Sequence, residues 1–257
     1  MAEVRTVVVG ASSGLGRCIG VGLAQRGGRV ALLARRQGRL DDAAKEAGRG
    51  AVAITCDVTD ADSCRAAIDD AATALGGIDA VVYTSGIGPL HRLEDTDADT
   101  WRRVFDTNVI GASLVTAAAL PHLVASSGCA AYLSSVSASE TPPWPGLGAY
   151  AVSKAALDKL VDAWRNEHPE VGFTRIVVGE CGGGEGDAVS GFANDWDDEL
   201  VGDVMTSWIT RNYMTGALMD VRNLIDAVDM VVQADGSVCH RSITVAPRLI
   251  QPGGASS

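Results

Sequence analysis

Thr6–Gly16 reads TVVVGASSGLG. Threonine and three valines make a short β-branched run that stops at glycine, the pattern of a buried parallel strand. An apolar-periodic segment, Cys18 to Arg26, follows the glycines and reads as a helix. Strand, glycine turn and helix in that order turn a weak glycine pattern into a phosphate-binding signal. Glycine lets the backbone turn tightly and approach a diphosphate, while the helix start offers free N–H groups and partial positive charge. Gly10, Ser12, Ser13, Gly14, Leu15 and Gly16 are the expected cradle; the plainer alternative is an ordinary tight strand–helix turn. The spacing is Gly-x3-Gly-x-Gly, not the commoner Gly-x-Gly-x2-Gly.

Outward from this turn, strand and helix patterns alternate. Val30–Leu33 is a second strand, ending Ala34-Arg35-Arg36. In a dinucleotide fold an acidic residue at this strand end takes the ribose 2′-hydroxyl, and an arginine accommodates a 2′-phosphate. With no carboxylate here and two forked cations, NADP(H) is expected over NAD(H). The alternative is that both arginines only solvate the next helix. Leu40 to Gly48 reads as that helix, Ala51–Thr55 as the third strand, and Asp57-Val58 follows it. Asp57 stands where a carboxylate can accept from an adenine amino group, or else caps the helix Ala61–Leu75, a duty that Thr59 or Asp60 could take instead. Ile78–Tyr83 is the fourth strand, and Ser85 and Gly86 after it are small enough for a cofactor to lie against. Asn108 and Gly111 interrupt a helical pattern running from about Trp101 to Val124, which predicts a kink or a carbonyl diverted to another partner. Ala130–Leu133 is the fifth strand and delivers Ser134, Ser135 and Ser137 at its C-terminal end, where ligands sit in open α/β sheets.

Ala149–Leu160 reads AYAVSKAALDKL. On a helix Tyr150 and Lys154 share one face a turn apart. A neighbouring ammonium stabilises a phenolate and lowers a pKa normally near ~10, so the pair is a candidate acid–base device. A surface tyrosine over a snorkelling lysine is the bland alternative. Phe173–Val178 is the sixth strand, then comes the acidic glycine-rich loop Gly179–Gly186. From Ala188 to Met219 the residues Phe192, Trp196, Trp208, Ile209, Tyr213 and Met214 mix with Asp195, Asp197, Asp198 and Glu199, the composition of a lid over a pocket or of a surface helix pair. Val221–Val232 reads as a helix, Ser242–Ala246 as a last strand and Gln251–Ser257 as a soft tail. The simplest organisation is one α/β domain over 1–250, a doubly wound parallel sheet of about seven strands with helices on both faces and a lid at 183–218.

The composition narrows the partners. A net charge of −11 argues against nucleic acid, an anionic membrane or a strongly acidic carrier. Six cysteines without a CxxC or paired spacing suit reduced, mostly buried thiols in the cytoplasm, and no metal is expected. Met1-Ala2-Glu3 lacks the basic start of a signal peptide, Val7–Val9 is too short for its apolar core, and no uninterrupted apolar stretch reaches membrane-spanning length.

GASSGLG, Asp57, Asn108, the serines after the fifth strand and Tyr150-x3-Lys154 together resemble the short-chain dehydrogenase/reductase family, with its order and spacing from about Thr6 to Val178. The resemblance implies a Rossmann-type fold, a nicotinamide cofactor, a small carbonyl or alcohol substrate, and a homotetramer or homodimer built on the helices around Asn108 and Tyr150. It implies that Tyr150 is the acid/base, that Lys154 lowers its pKa and bonds the nicotinamide ribose, that a serine holds the substrate oxygen, and that Asn108 anchors a water leading to Lys154. The family spacing of about thirteen residues before the tyrosine selects Ser137; the strand-end pattern selects Ser135, which is preferred because Pro142, Pro143 and Pro145 mark a loop able to absorb two residues. The family's Pro-Gly and threonine after the sixth strand are replaced here by Glu180-Cys181-Gly182-Gly183, and no site residue is assigned to that loop.

Overall fold

The computed structural model describes residues 3–48, 50–184, 189–214 and 217–248. Seven parallel strands lie in the order β3-β2-β1-β4-β5-β6-β7. They are β1 (Arg5–Val9), β2 (Arg29–Ala34), β3 (Val52–Thr55), β4 (Ala80–Tyr83), β5 (Cys129–Ser135), β6 (Gly172–Val178) and β7 (Ser242–Val245). The helices are α1 (Gly14–Gln25), α2 (Gln37–Ala47), α3 (Ala61–Leu75), α4 (Ala98–Phe105), α5 (Gly111–Ser126), a one-turn α6 (Val136–Ser139), α7 (Gly148–Glu167), α8 (Asp198–Thr210) and α9 (Val221–Val232).

Alternation along β1 sends Val7 and Val9 into one apolar layer and Val8 into the other. The first layer holds α3, α5 and α7 through Ile68, Val115 and Leu157; the second holds α1, α2 and α9 through Ile19, Leu40 and Val228. Strand order reverses between β1 and β4, so the crevice beyond their C-terminal ends is where such sheets take ligands. A third, smaller cluster of Leu90, Leu147, Val204 and Trp208 gathers over these strand ends.

The helical pattern around Asn108 is continuous from Ala98 to Ser126, with a π-helical turn at Asp106–Ile110 between α4 and α5. The expected diverted carbonyl is there: the Tyr83 hydroxyl donates to Thr107 O at 2.6 Å. An 18-residue window of this helix, with mean hydropathy 1.7, is apolar and long enough to cross a membrane, contrary to the sequence expectation. It packs against α3 and α7, with Asn108 wholly buried at its middle. The thiols are free, but only Cys56 and Cys64 are buried, fewer than expected.

Candidate active site

Two clusters face the crevice. The first forms at the glycine turn. Gly10 has φ +91°, and a Cβ on it would come within 2.7 Å of Ser85 N, so this position needs glycine for both conformation and space. A Cβ on Gly16 would press into Thr84 Oγ1 and the Gly10 carbonyl, which fixes how closely α1 approaches the sheet. Ser13 is the N-cap of α1 but makes no capping hydrogen bond. Its hydroxyl and that of Ser12 accept instead from Arg36 Nη2, at 2.8 and 2.9 Å. The Arg36 guanidinium is held below its usual range first by burial, then by Arg39 and Arg35. None of these three cations has an acidic ion-pair partner among the described residues, so positive charge is concentrated beside the turn. This donor set and the glycine cradle fit the phosphates of a dinucleotide.

Asp57 is not the cap of α3: Asp60 is, accepting from Asp62 N and Ser63 N. Asp57 closes its own turn, accepting from Thr59 N at 3.0 Å and Thr59 Oγ1 at 2.8 Å. Those bonds and the Arg35 charge hold it below the ordinary carboxylate range, so it stays an acceptor at the β3 end. The Val58 side chain is buried in the core, which leaves only its backbone for a cofactor.

The second cluster surrounds Tyr150 and Lys154 on α7. A Cβ on Gly86 would stand 3.4 Å from Lys154 Nζ and 3.6 Å from Asn108 Oδ1, so the loop after β4 joins the two. Asn108 ties three segments together: its Nδ2 donates to Ile87 O and Ser153 Oγ, both at 2.9 Å, and its Oδ1 accepts from Ile87 N at 2.9 Å. Of the two serines, Ser135 has a hydroxyl that draws the Tyr150 pKa down against burial. Ser137 stands behind it, 2.9 Å away hydroxyl to hydroxyl.

One expectation is corrected. Burial governs Tyr150 and pushes its pKa up to about 12, while Lys154 is lowered by burial to about 8. Lys154 Nζ lies 5.8 Å from the Tyr150 ring centroid and donates to Leu133 O at 2.7 Å, so its charge is turned to β5 and not to the phenol.

The segment after β6 lies over both clusters. Ser190 sits on Gly14, and a Cβ on Gly183 would meet Leu15 N at 2.9 Å. The Phe192 ring stands edge-on to Tyr150, with centroids 5.1 Å apart and planes at 75°. Trp196 Nε1 donates to Gly88 O at 2.8 Å, and Trp208 Nε1 to Pro145 O at 2.9 Å. The segment 183–218, read from the sequence as a lid or a surface helix pair, contains the helix α8 and an aromatic cluster; its residues 185–188 and 215–216 lie outside the described residues. Sequence reading missed Arg39, Ser153 and the reach of Phe192 to Tyr150. Arg39 had a signal, a third arginine four residues after Arg35 at the start of α2; Phe192 had none.

A doubly wound sheet with a glycine cradle at its switch point and a Tyr-x3-Lys pair at its mouth defines a nucleotide-binding α/β protein. The short chain dehydrogenase family model matches residues 5–194, and the chain belongs to that family. It is 37% identical over 178 residues to a short chain dehydrogenase of Pseudocercospora fijiensis, covering 67% of this chain and 57% of that protein. It is 33% identical over 179 residues to 11-beta-hydroxysteroid dehydrogenase A of Sesamum indicum, covering 67% of this chain and 51% of that protein. The chain thus matches little more than half the length of these two relatives. In fold it resembles an alcohol dehydrogenase of Thermococcus sibiricus complexed with 5-hydroxy-NADP, with TM-score 0.79, 22% identity and 98% and 100% of the two chains covered. A 3-ketoacyl-(acyl-carrier-protein) reductase of Brucella melitensis complexed with NADH gives TM-score 0.78 and 21% identity over 97% and 99% of the chains.

Proposed function

We propose that this protein is an NADP(H)-dependent oxidoreductase that interconverts a carbonyl and a secondary alcohol on a small, neutral, fairly apolar substrate. The observation that carries this reading is the Tyr150 hydroxyl beside Ser135, with Lys154 and Asn108 joined behind it through the loop at Gly86. A bound nicotinamide supplies or takes the hydride. Ser135 donates to the substrate oxygen and fixes it beside Tyr150. A phenol with a pKa near 12 keeps its proton through neutral pH, which suits protonation of that oxygen during reduction. Lys154 holds the ribose, and Asn108 anchors the water that returns a proton. Arg35 and Arg36 take the 2′-phosphate; Asp57, the Val58 backbone, Ser85 and Gly86 line the nucleotide.

The test is oxidation of NADPH, and separately NADH, with a panel of aldehydes and ketones. Turnover with a clear NADPH preference is the expected result, and equal use of both cofactors removes the arginine assignment. The second reading is a non-catalytic dinucleotide-binding or redox-sensing protein. Phe192 against Tyr150 and the absence of proline in the loop after β6 favour it. Tight NADPH binding without turnover of any carbonyl or alcohol would establish it. Exposed Ile110, Val124 and Val152 supply apolar faces for a homodimer or homotetramer. Free cysteines and the acidic balance support a cytoplasmic protein without nucleic-acid or membrane partners.

A further inference from the structure

Among the described residues, only two of the acidic and basic side chains (Asp, Glu, Lys, Arg, His) are buried: Lys154 at 4% exposure and Asp158 at 6%. They stand four apart on α7, in one stripe with Tyr150. Lys154 Nζ donates to the Leu133 carbonyl, a neutral acceptor that satisfies a proton without balancing the charge. A buried ammonium without a counter-ion is costly and tends to shed its proton. Asp158 Oδ1 is buried and makes no hydrogen bond among the described residues. Asp162, one turn further, is already engaged by Arg165 at 2.8 Å and Lys159 at 3.5 Å.

We infer that Asp158 is a positioning residue, the counter-ion that keeps Lys154 charged next to Tyr150. This rests on the oxidoreductase reading of the site. Asp158 opposes the fall that burial imposes on the lysine, and the lysine in turn favours the carboxylate. Burial acts most strongly on Asp158 and raises its pKa; the Ser134 hydroxyl, Arg175 and Lys154 pull it back towards the anion, and Asp162 opposes them. Further titratable groups on α7 and the elements packed against it include Glu167 on α7, Cys129 and Tyr132 on β5, the latter bonded to Thr116, and Asp99, Arg102, Arg103 and Asp106 on α4 and the π-helical turn. The sign follows: without the Asp158 charge, Lys154 loses its proton at lower pH. On the oxidoreductase reading, reduction needs a protonated Tyr150 and a charged Lys154 that holds the nicotinamide ribose, so its rate falls as pH rises through the lysine titration. That fall then comes earlier.

The chain has three lysines, Lys45, Lys154 and Lys159, so protein carrying 13C at lysine Cε gives three signals. Lys45→Arg and Lys159→Arg variants assign them. The native Lys154 midpoint is expected near 8. In Asp158→Asn it moves down by about one pH unit, with Asp158→Glu restoring it. Asp158→Ser, which removes the charge with a different shape, moves it the same way. In the reductase assay the alkaline limb of kcat moves down with it, while KM changes little. An unchanged or higher Lys154 midpoint in either neutral variant that folds overturns the inference. So does a loss of activity without a shifted limb, which marks a merely structural role. Should no carbonyl be turned over, the oxidoreductase reading fails, and the lysine titration alone decides whether Asp158 is the counter-ion.

Discussion

Arg5–Val178 and the described residues between Gly179 and Asp220 meet at Tyr150 and the glycine turn, and they are built by different means. In the first region the site is set by backbone. Gly10 turns at φ +91°, Gly16 leaves no room for a methyl group, and Tyr150 and Lys154 stand one helical turn apart. In the second the site is set by packing. Phe192 leans on Tyr150 and on Trp196, with ring centroids 5.1 and 5.6 Å apart, and Trp208 leans on Trp144 at 5.3 Å. The first region sets where a cofactor lies, and the second shapes the space left above Tyr150. On the proposed reading, cofactor and proton chemistry fall to the backbone-built region, and the substrate side falls to the region built by packing.

The sharpest way to break this contrast is Tyr150→Phe. The change removes one oxygen and leaves the Phe192 contact and the glycine cradle in place. Turnover is expected to fall by about 10²–10⁴-fold, the usual contribution of a positioned acid. NADPH affinity, read by fluorescence, stays within a few-fold of native. Full activity in this variant would take the chemistry away from the first region. Next in size is Gly16→Ala. The added methyl meets the Gly10 carbonyl, which cannot retreat without moving a strand end, and Thr84 Oγ1, which can turn away only by giving up its hydrogen bond to Val9 O. Overpacking of this kind costs about 1–3 kcal/mol, and thermal unfolding monitored by circular dichroism should show it together with weakened NADPH binding. Gly202 is the control, because a Cβ there meets nothing within 4 Å; Gly202→Ala should leave Tm unchanged or raised.

The same contrast explains what could be read from the chain. All seven strands and the helices α3 and α9 were visible because a parallel strand is a short apolar run and an amphipathic helix has a period. The cradle was visible because glycine is needed at particular steps of a turn. Asn108 stood out because a polar amide in an apolar helix demands a partner, and its partners proved to be Ile87 and Ser153. The Tyr150 pKa was misjudged because spacing gives the neighbour but not the direction of its Nζ, which goes to Leu133 O. Phe192 was one aromatic among several in a segment without period; which ring reaches Tyr150 depends on tertiary packing alone.

Arg36→Ala tests whether the first region also sets cofactor choice. The guanidinium bridges Ser12 and Ser13 and would lose a charge-assisted contact to a 2′-phosphate worth about 1.5–3 kcal/mol. NADPH affinity should fall by roughly ten- to a hundred-fold at this energy, with NADH affinity little changed. A similar loss for both cofactors would make Arg36 a brace of the glycine turn rather than a reader of phosphate.

Phe192→Ala asks the question of the second region and should give the smallest effect. An edge-to-face aromatic pair contributes about 0.5–1.5 kcal/mol beyond its buried area, so removing this ring loosens the wall without unfolding the sheet. Phe192 also fills the space next to Gly88, where a Cβ would press into its ring. With the ring gone, a bulkier ketone can reach Tyr150. KM for such a substrate should fall by up to about ten-fold, the equivalent of 1.4 kcal/mol, with little change for the smallest aldehydes. NADPH affinity should not move, since no cradle residue is touched. A large loss of kcat with every substrate would place Phe192 in the catalytic arrangement itself, and the division between a backbone-built and a packing-built wall would no longer hold at Tyr150.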